Sequence, residues 1–178
     1  MKRDKKKASR PTATDPMNDL RLGAARKRLA ESRGQEDAID GLREIVANFL
    51  GSEELGLFTV DRRNASFRMF WSFGIDLDDY DLQRVLGDAG LERVMRGECH
   101  VELAAHEHSE ARAQAFVPLR VANHTIAILA ILRLLPQKLA FNGSDMELFK
   151  LISNEAAEPL FGPGADCKPA TGQPGIGV

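Results

Sequence analysis

The segment CHVELAAHEHSE, residues 99–110, holds Cys99, His100, His106 and His108, the densest group of reactive and metal-capable side chains in the chain. An H-x-H spacing in a loop can ligate zinc, and a cysteine thiolate can add a further donor. Histidine and glutamate in a polar stretch are ordinarily solvated, however, so no metal is expected here. A second chemistry is aromatic. Trp71, Phe73 and Tyr80 could stack on a planar ligand, with Cys99 as a further pocket wall. The same rings would serve equally well as core. No Ser-His-Asp, Walker or Rossmann pattern occurs, and the chain is not expected to be an enzyme.

The elements that must position these residues follow from periodicity. EDAIDGLREIVANFL places Ile39, Leu42, Ile45, Val46 and Phe49 on one helical face. After Gly51, LGLFTVD and FRMFWSFGI flank a polar bend and predict a hairpin, which puts Trp71 and Phe73 at the end of its second strand. DLDDYDLQRVLGDAGLERVMRGE returns to helical spacing, with Gly87, Gly90 and Gly97 as expected breaks, and Tyr80 opens it. A short alternating strand, Cys99 to Leu103, precedes a polar loop. In AFVPLRVANHTIAILAIL, Pro118 excludes a helix interior but is tolerated on an edge strand, and Ala122 to Thr125 suits a turn. That run predicts a second hairpin whose last strand, Ile126 to Leu135, is covered on both faces. Ser144 and Glu147 then form an expected capping box, opening a helix with Phe149, Ile152, Ala156 and Leu160 inward.

The chain has 178 residues, 43% of them hydrophobic and 28% charged, which suits one globular core with tails. Two cysteines, Cys99 and Cys167, are too few for a disulfide framework or a four-thiolate zinc site, and they fit a reducing cytoplasm. No apolar run reaches the roughly 18 residues of a membrane span. The basic start lacks the hydrophobic segment of a secretory signal. The net charge of −2 divides unevenly: residues 1–33 carry 11 Lys and Arg against 4 Asp and Glu, and residues 34–178 carry 13 against 22. Residues 1–16 are expected to be a disordered basic arm, and 162–178 a disordered Gly- and Pro-rich tail. Between residues 17 and 33, Leu22, Ala25 and Leu29 make a narrow amphipathic stripe that suits a partner helix. The folded unit spans residues 35–161. Its fold class is α+β, a central antiparallel sheet with helices mainly on one face.

In this unit the chain resembles the GAF domains, sensory modules of signalling proteins and cyclic-nucleotide phosphodiesterases. The likeness rests on a strand ending in Val117-Pro118-Leu119, a turn, the aliphatic strand from Ile126 to Leu132, then Phe141, Asp145 and a helix rich in Leu, Ile and Ala. Where the family commonly has glycine early in the aliphatic strand, this chain has Ala127. The resemblance implies a GAF- or PAS-like sheet and a pocket between that sheet and the helices preceding the second hairpin. The phosphodiesterase-type cyclic-nucleotide signature is not recognisable, and the cofactor is unknown.

The leading functional expectation is a sensory or regulatory module of signal transduction that binds a small molecule or a partner protein and signals through its terminal helices. A homodimer is expected with an interface at Leu22, Leu29, Leu42 and Phe149, and a signalling partner protein beyond it. The alternative is a scaffold whose basic arm contacts nucleic acid or an acidic partner; the arm has no aromatic residue for base stacking, which disfavours nucleic acid. A third reading follows from GAF-type free methionine sulfoxide reductases, which carry a cysteine near the place of Cys99. That chemistry needs a second reachable thiol, and Cys167 lies in the tail, so this reading ranks last.

Overall fold

A computed structural model describes residues 15–63, 66–77, 81–101 and 115–162. Helix α1, Pro16–Ala30, begins after Asp15, whose side chain accepts from the Met17 amide and so satisfies one of the free N–H groups of the first turn. Helix α2, Gln35–Ile45, continues into a π-helical turn, Val46–Leu50, which ends at Gly51 with φ 67°. A left-handed residue there turns the chain into the sheet, and glycine adopts that conformation without a Cβ penalty.

Strands β1, Ser52–Asp61, and β2, Ser66–Phe73, form the first hairpin. Helix α3, Leu82–Met95, follows, with Gly87 non-helical inside it. Of the three expected glycine breaks, Gly87 interrupts the helix, Gly90 is accommodated within it and Gly97 lies just beyond its end. Strand β3, His100–Val101, leads to the second hairpin, β4 Ala115–Val121 and β5 His124–Leu134. Helices α4, Gly143–Glu155, and α5, Ala157–Phe161, close the unit. The capping box of α4 is made by Asn142 and Asp145, two residues earlier than the expected Ser144 and Glu147. Asn142 accepts from the Asp145 amide, and Asp145 accepts from the Asn142 amide.

The sheet order is β2-β1-β5-β4-β3 with every pairing antiparallel. Alternation along β5 divides the core. Ala127, Leu129 and Ile131 face α2, α4 and α5, whereas Ile128, Ala130 and Leu132 face α3. Both faces of this central strand are therefore dry, which is why its sequence is an unbroken aliphatic run. Pro118 pairs with Ile128 on one side, and the β3 pairing described on its other side reaches only Ala115 and Phe116. Its missing N–H thus falls outside that ladder.

Helix α1 lies on α4 and α2 as part of the same core. Ala25 and Leu29 are buried, Asn18 donates to Glu147, and Arg26 donates to Glu155 at 2.9 Å. The contacts advance from 18 to 26 on α1 and from 147 to 155 on α4, so the two helices run parallel. Arg28 reaches Glu44 at 2.7 Å and Asp37 at 3.0 Å and ties α1 to α2. The narrow stripe of α1 is thus covered within the chain. This corrects the expected interface: Leu29, Leu42 and Phe149 are all buried in the chain's own core, and Leu22 packs half-buried against it.

Candidate functional site

The face of the sheet covered by α3 carries a second cluster of buried apolar side chains. Its floor is a lateral row across the sheet in which Phe116 pairs with Ala130, Ala130 with Gly56, and Gly56 with Ser72. Glycine inside a strand marks a close approach by another group, and here the group is Leu77. A Cβ on Gly56 would lie 2.5 Å from Leu77 Cδ1 and 3.0 Å from the Phe58 ring. Leu77 is buried while its neighbour Asp76 is exposed, so a single leucine anchors this part of the chain between β2 and α3 onto the sheet. Leu82, Leu86 and Val94 of α3 complete the cover, with Ile75, Val85 and Leu91 half-buried around it.

At the β3 end of the row, His100 stacks on Phe116 with ring centroids 6.2 Å apart, and an added Cβ on Gly90 would stand 3.5 Å from its Nε2. Thr125, also buried on this side, donates to the Val94 carbonyl at 3.0 Å and fastens the end of α3 to β5. Leu77, Gly56 and Ala130 were not among the sequence candidates. The signal that could have found them was the glycine within LGLFTVD.

The aromatic candidates lie on the other face. The register between β1 and β2 shifts at Leu57 and Phe58: Leu57 pairs with Trp71 and Phe58 with Met69, leaving Phe70 as the extra residue of a bulge. Strict alternation from Phe67 and Met69 would have carried Trp71 and Phe73 to the α3 face. The bulge instead sends both to the helical face, where they stack at 6.2 Å and Arg43 of α2 sits 4.9 Å above the Phe73 ring. Cys99 also packs on the helical side. Burial pushes its thiol up to about 11, and the nearby charges of Lys150 and Arg120 only partly oppose this. It is a protonated thiol at neutral pH. Trp71, Phe73 and Cys99 therefore do not line the α3 face, and Tyr80 lies outside the described residues. Among the described residues no three His, Cys, Asp or Glu side chains come together in a way that could hold a metal; His106 and His108 are outside them, as is Cys167.

No family model matches the sequence, and no curated protein matches it. Solved structures do. The GAF domain of a phosphoenolpyruvate-protein phosphotransferase from Acinetobacter superposes with a TM-score of 0.58 at 20% identity, over 83% of this chain and 92% of that one. The corresponding GAF domain from Coxiella burnetii gives a TM-score of 0.59 at 16% identity, over 83% and 95%. The fold is a GAF fold. Residues 122 to 287 of a methyl-accepting chemotaxis protein share it at a TM-score of 0.51 and 16% identity, over 76% of this chain and 94% of that one. The GAF fold confirms the α+β class and the resemblance read from the second hairpin and the last helix.

Proposed function

We propose that this chain is a GAF-type regulatory module that takes a small molecule on the α3 face and passes the change to a partner protein through α1. The observation that carries the reading is the seat of Leu77 on Gly56: a floor of glycine and alanine leaves room beneath α3, and one aliphatic side chain on a loop fills it. A ligand of matching size, flat and largely apolar, would take the place of Leu77 and move the loop and α3 with it. In this reading the module is not an enzyme, works in the cytoplasm and acts as a homodimer. Its contact surface then lies on the outer side of α1 near Gly23, where an added Cβ would meet nothing within 4 Å, and not at the buried Leu29, Leu42 or Phe149.

A thermal-shift screen of nucleotides, amino acids and haem on the wild-type chain and on Leu77→Ala tests the proposal. A true ligand of this face raises the midpoint of both proteins and binds Leu77→Ala more tightly, because it no longer has to displace the leucine. A ligand whose affinity ignores Leu77 would place the binding elsewhere.

A further inference from the structure

Helix α1 is fastened differently from the helices beneath it. Of its 15 residues only Asn18, Ala25 and Leu29 are buried, whereas five of the 11 in α2 and six of the 13 in α4 are. Directional polar contacts do most of the holding. Asn18 donates to Glu147 and Arg26 to Glu155, two pairs with the same separation of 129 positions, so α1 and α4 keep one register between them. Arg21 meets Asp145 at 2.5 Å and the Phe49 carbonyl at 2.6 Å.

The third arginine has a notch built for it. Gly41 lies in the interior of α2, where glycine weakens a helix relative to alanine. A Cβ there would stand 3.1 Å from Cζ and Nη1 of Arg28 and 3.3 Å from its Cγ. Asp37 and Glu44, one turn to either side of Gly41, share its face of α2. The Arg28 side chain crosses the bare backbone between them, with Nη2 3.0 Å from Asp37 Oδ1 and Nε 2.7 Å from Glu44 Oε2. Nη2 also donates to the Asp37 carbonyl at 3.3 Å. A residue that weakens α2 thus makes room for one side chain of α1.

We infer that α1 is a latch: it lifts from α2 and α4 as one unit while the sheet and the other helices stay folded, and Arg28 in the Gly41 notch is its catch. Local opening is easiest for elements that bury little apolar surface, and α1 buries little. Ion pairs near the surface add only weak hold, and the side chains of Arg26 and Glu155 are 63% and 34% exposed. Lifting α1 bares an acidic seat formed by Asp37 and Glu44 of α2 and Glu147 and Glu155 of α4, with the sheet intact. An effector then has only to favour one seating of α1 over the other to change what the module presents. The latch gives the α1 route proposed above a mechanism and rests on that reading only for its use. It opens with no ligand present, so its absence would leave binding at the α3 face untouched.

The test is native-state hydrogen exchange of the full chain, followed by mass spectrometry and normalised to unfolded-chain rates, with β5 and α4 as internal references. In the wild type, the hydrogen-bonded amides of α1 should exchange about tenfold or more faster than those of β5 and α4. Arg28→Ala should speed exchange in α1 about threefold or more and leave β5 unchanged. Gly41→Ala separates the catch from ordinary stability. Alanine strengthens α2 but expels Arg28 from the notch, so α1 should exchange faster while α2 and β5 exchange at the same rate or more slowly. Equal protection of α1 and β5 overturns the proposal, because α1 would then open only with the whole fold. So does an Arg28→Ala chain with wild-type exchange in α1, or a Gly41→Ala chain in which α1 is slowed together with α2.

Discussion

Arg21 of α1 donates to Asp145 at the start of α4 across 2.5 Å, although 124 positions separate them in the chain. The guanidinium also donates to the Phe49 carbonyl at 2.6 Å, and Lys138 meets the same carboxylate oxygen from the opposite strand connection. One buried carboxylate thus joins α1, the π-helical turn, the β5–α4 loop and the cap of α4. Removing it leaves two partly buried cations unpaired. Asp145→Ala should lower stability by about 3 kcal/mol, read as a shift of the urea midpoint, more than Arg21→Met, which leaves Lys138 in place. Equal, small effects of both would show that the junction is not a stability element.

The same carboxylate sets an acid response. Burial alone would raise its pKa, but hydrogen bonds from Lys138, Arg21 and the Asn142 amide outweigh burial and hold it below the ordinary 3.8. A depressed folded value contributes stability above the unfolded pKa, lost as pH falls through the folded one. Unfolding free energy should therefore carry an Asp145 contribution that is complete at neutral pH and fades below about pH 4. Asp145→Asn should flatten that part of the acid limb, measured by urea titrations between neutral pH and pH 3.

Gly56 and Leu77 should be energetically coupled. Gly56→Ala drives a methyl into Leu77 and should destabilise by about 1–3 kcal/mol. In the background of Leu77→Ala the same change should cost much less, because the methyl then enters vacated space. Additive costs would mean that Leu77 does not rest on Gly56 in solution.

Cys99 should be a poor nucleophile. With its thiol near 11, its alkylation at pH 8 in the Cys167→Ser variant should run about 100-fold or more slower than in the urea-unfolded chain. Rapid native-state alkylation would reopen thiol chemistry at this position.

The β4–β5 turn offers a gain in stability. Ala122 and Asn123 hold φ of 47° and 66°, so a two-residue hairpin turn puts a Cβ-bearing alanine in the left-handed region. Replacing the pair by Asn-Gly should raise the thermal midpoint by roughly 2–4 °C, which differential scanning calorimetry would register.

The order of elements was legible because each carries a local signal: a helical period before Gly51, aromatic runs around a polar bend, and a proline followed by an aliphatic strand. Phe149, Ile152, Ala156 and Leu160 are inward as the spacing implied, and all four are buried. The site was less legible. Trp71 and Phe73 were legible as the end of the second strand, but their face is set by one extra residue at Phe70. Nothing local announces such a bulge, since it is fixed by pairing with β1. Leu29 looked available because its stripe is narrow, yet α1 needs only a narrow stripe when Arg21, Arg26 and Arg28 fasten its flanks to acidic residues far along the chain. Ion pairs of that separation have no signature in spacing.

The parallel course of α1 and α4 also sets where attachments to the two ends of the described fold would sit. Asp15 lies beside the start of α4, whereas the chain leaves after α5, which follows the end of α4 and whose Leu160 carbonyl accepts from Gln35 at the far end of the α1–α2 connection. Asp15 and Gly162 are therefore held on opposite sides, separated by about 20 Å, the length of a helix the size of α4. Fluorophores placed at Asp15 and Gly162 would behave as the tips of a rigid spacer.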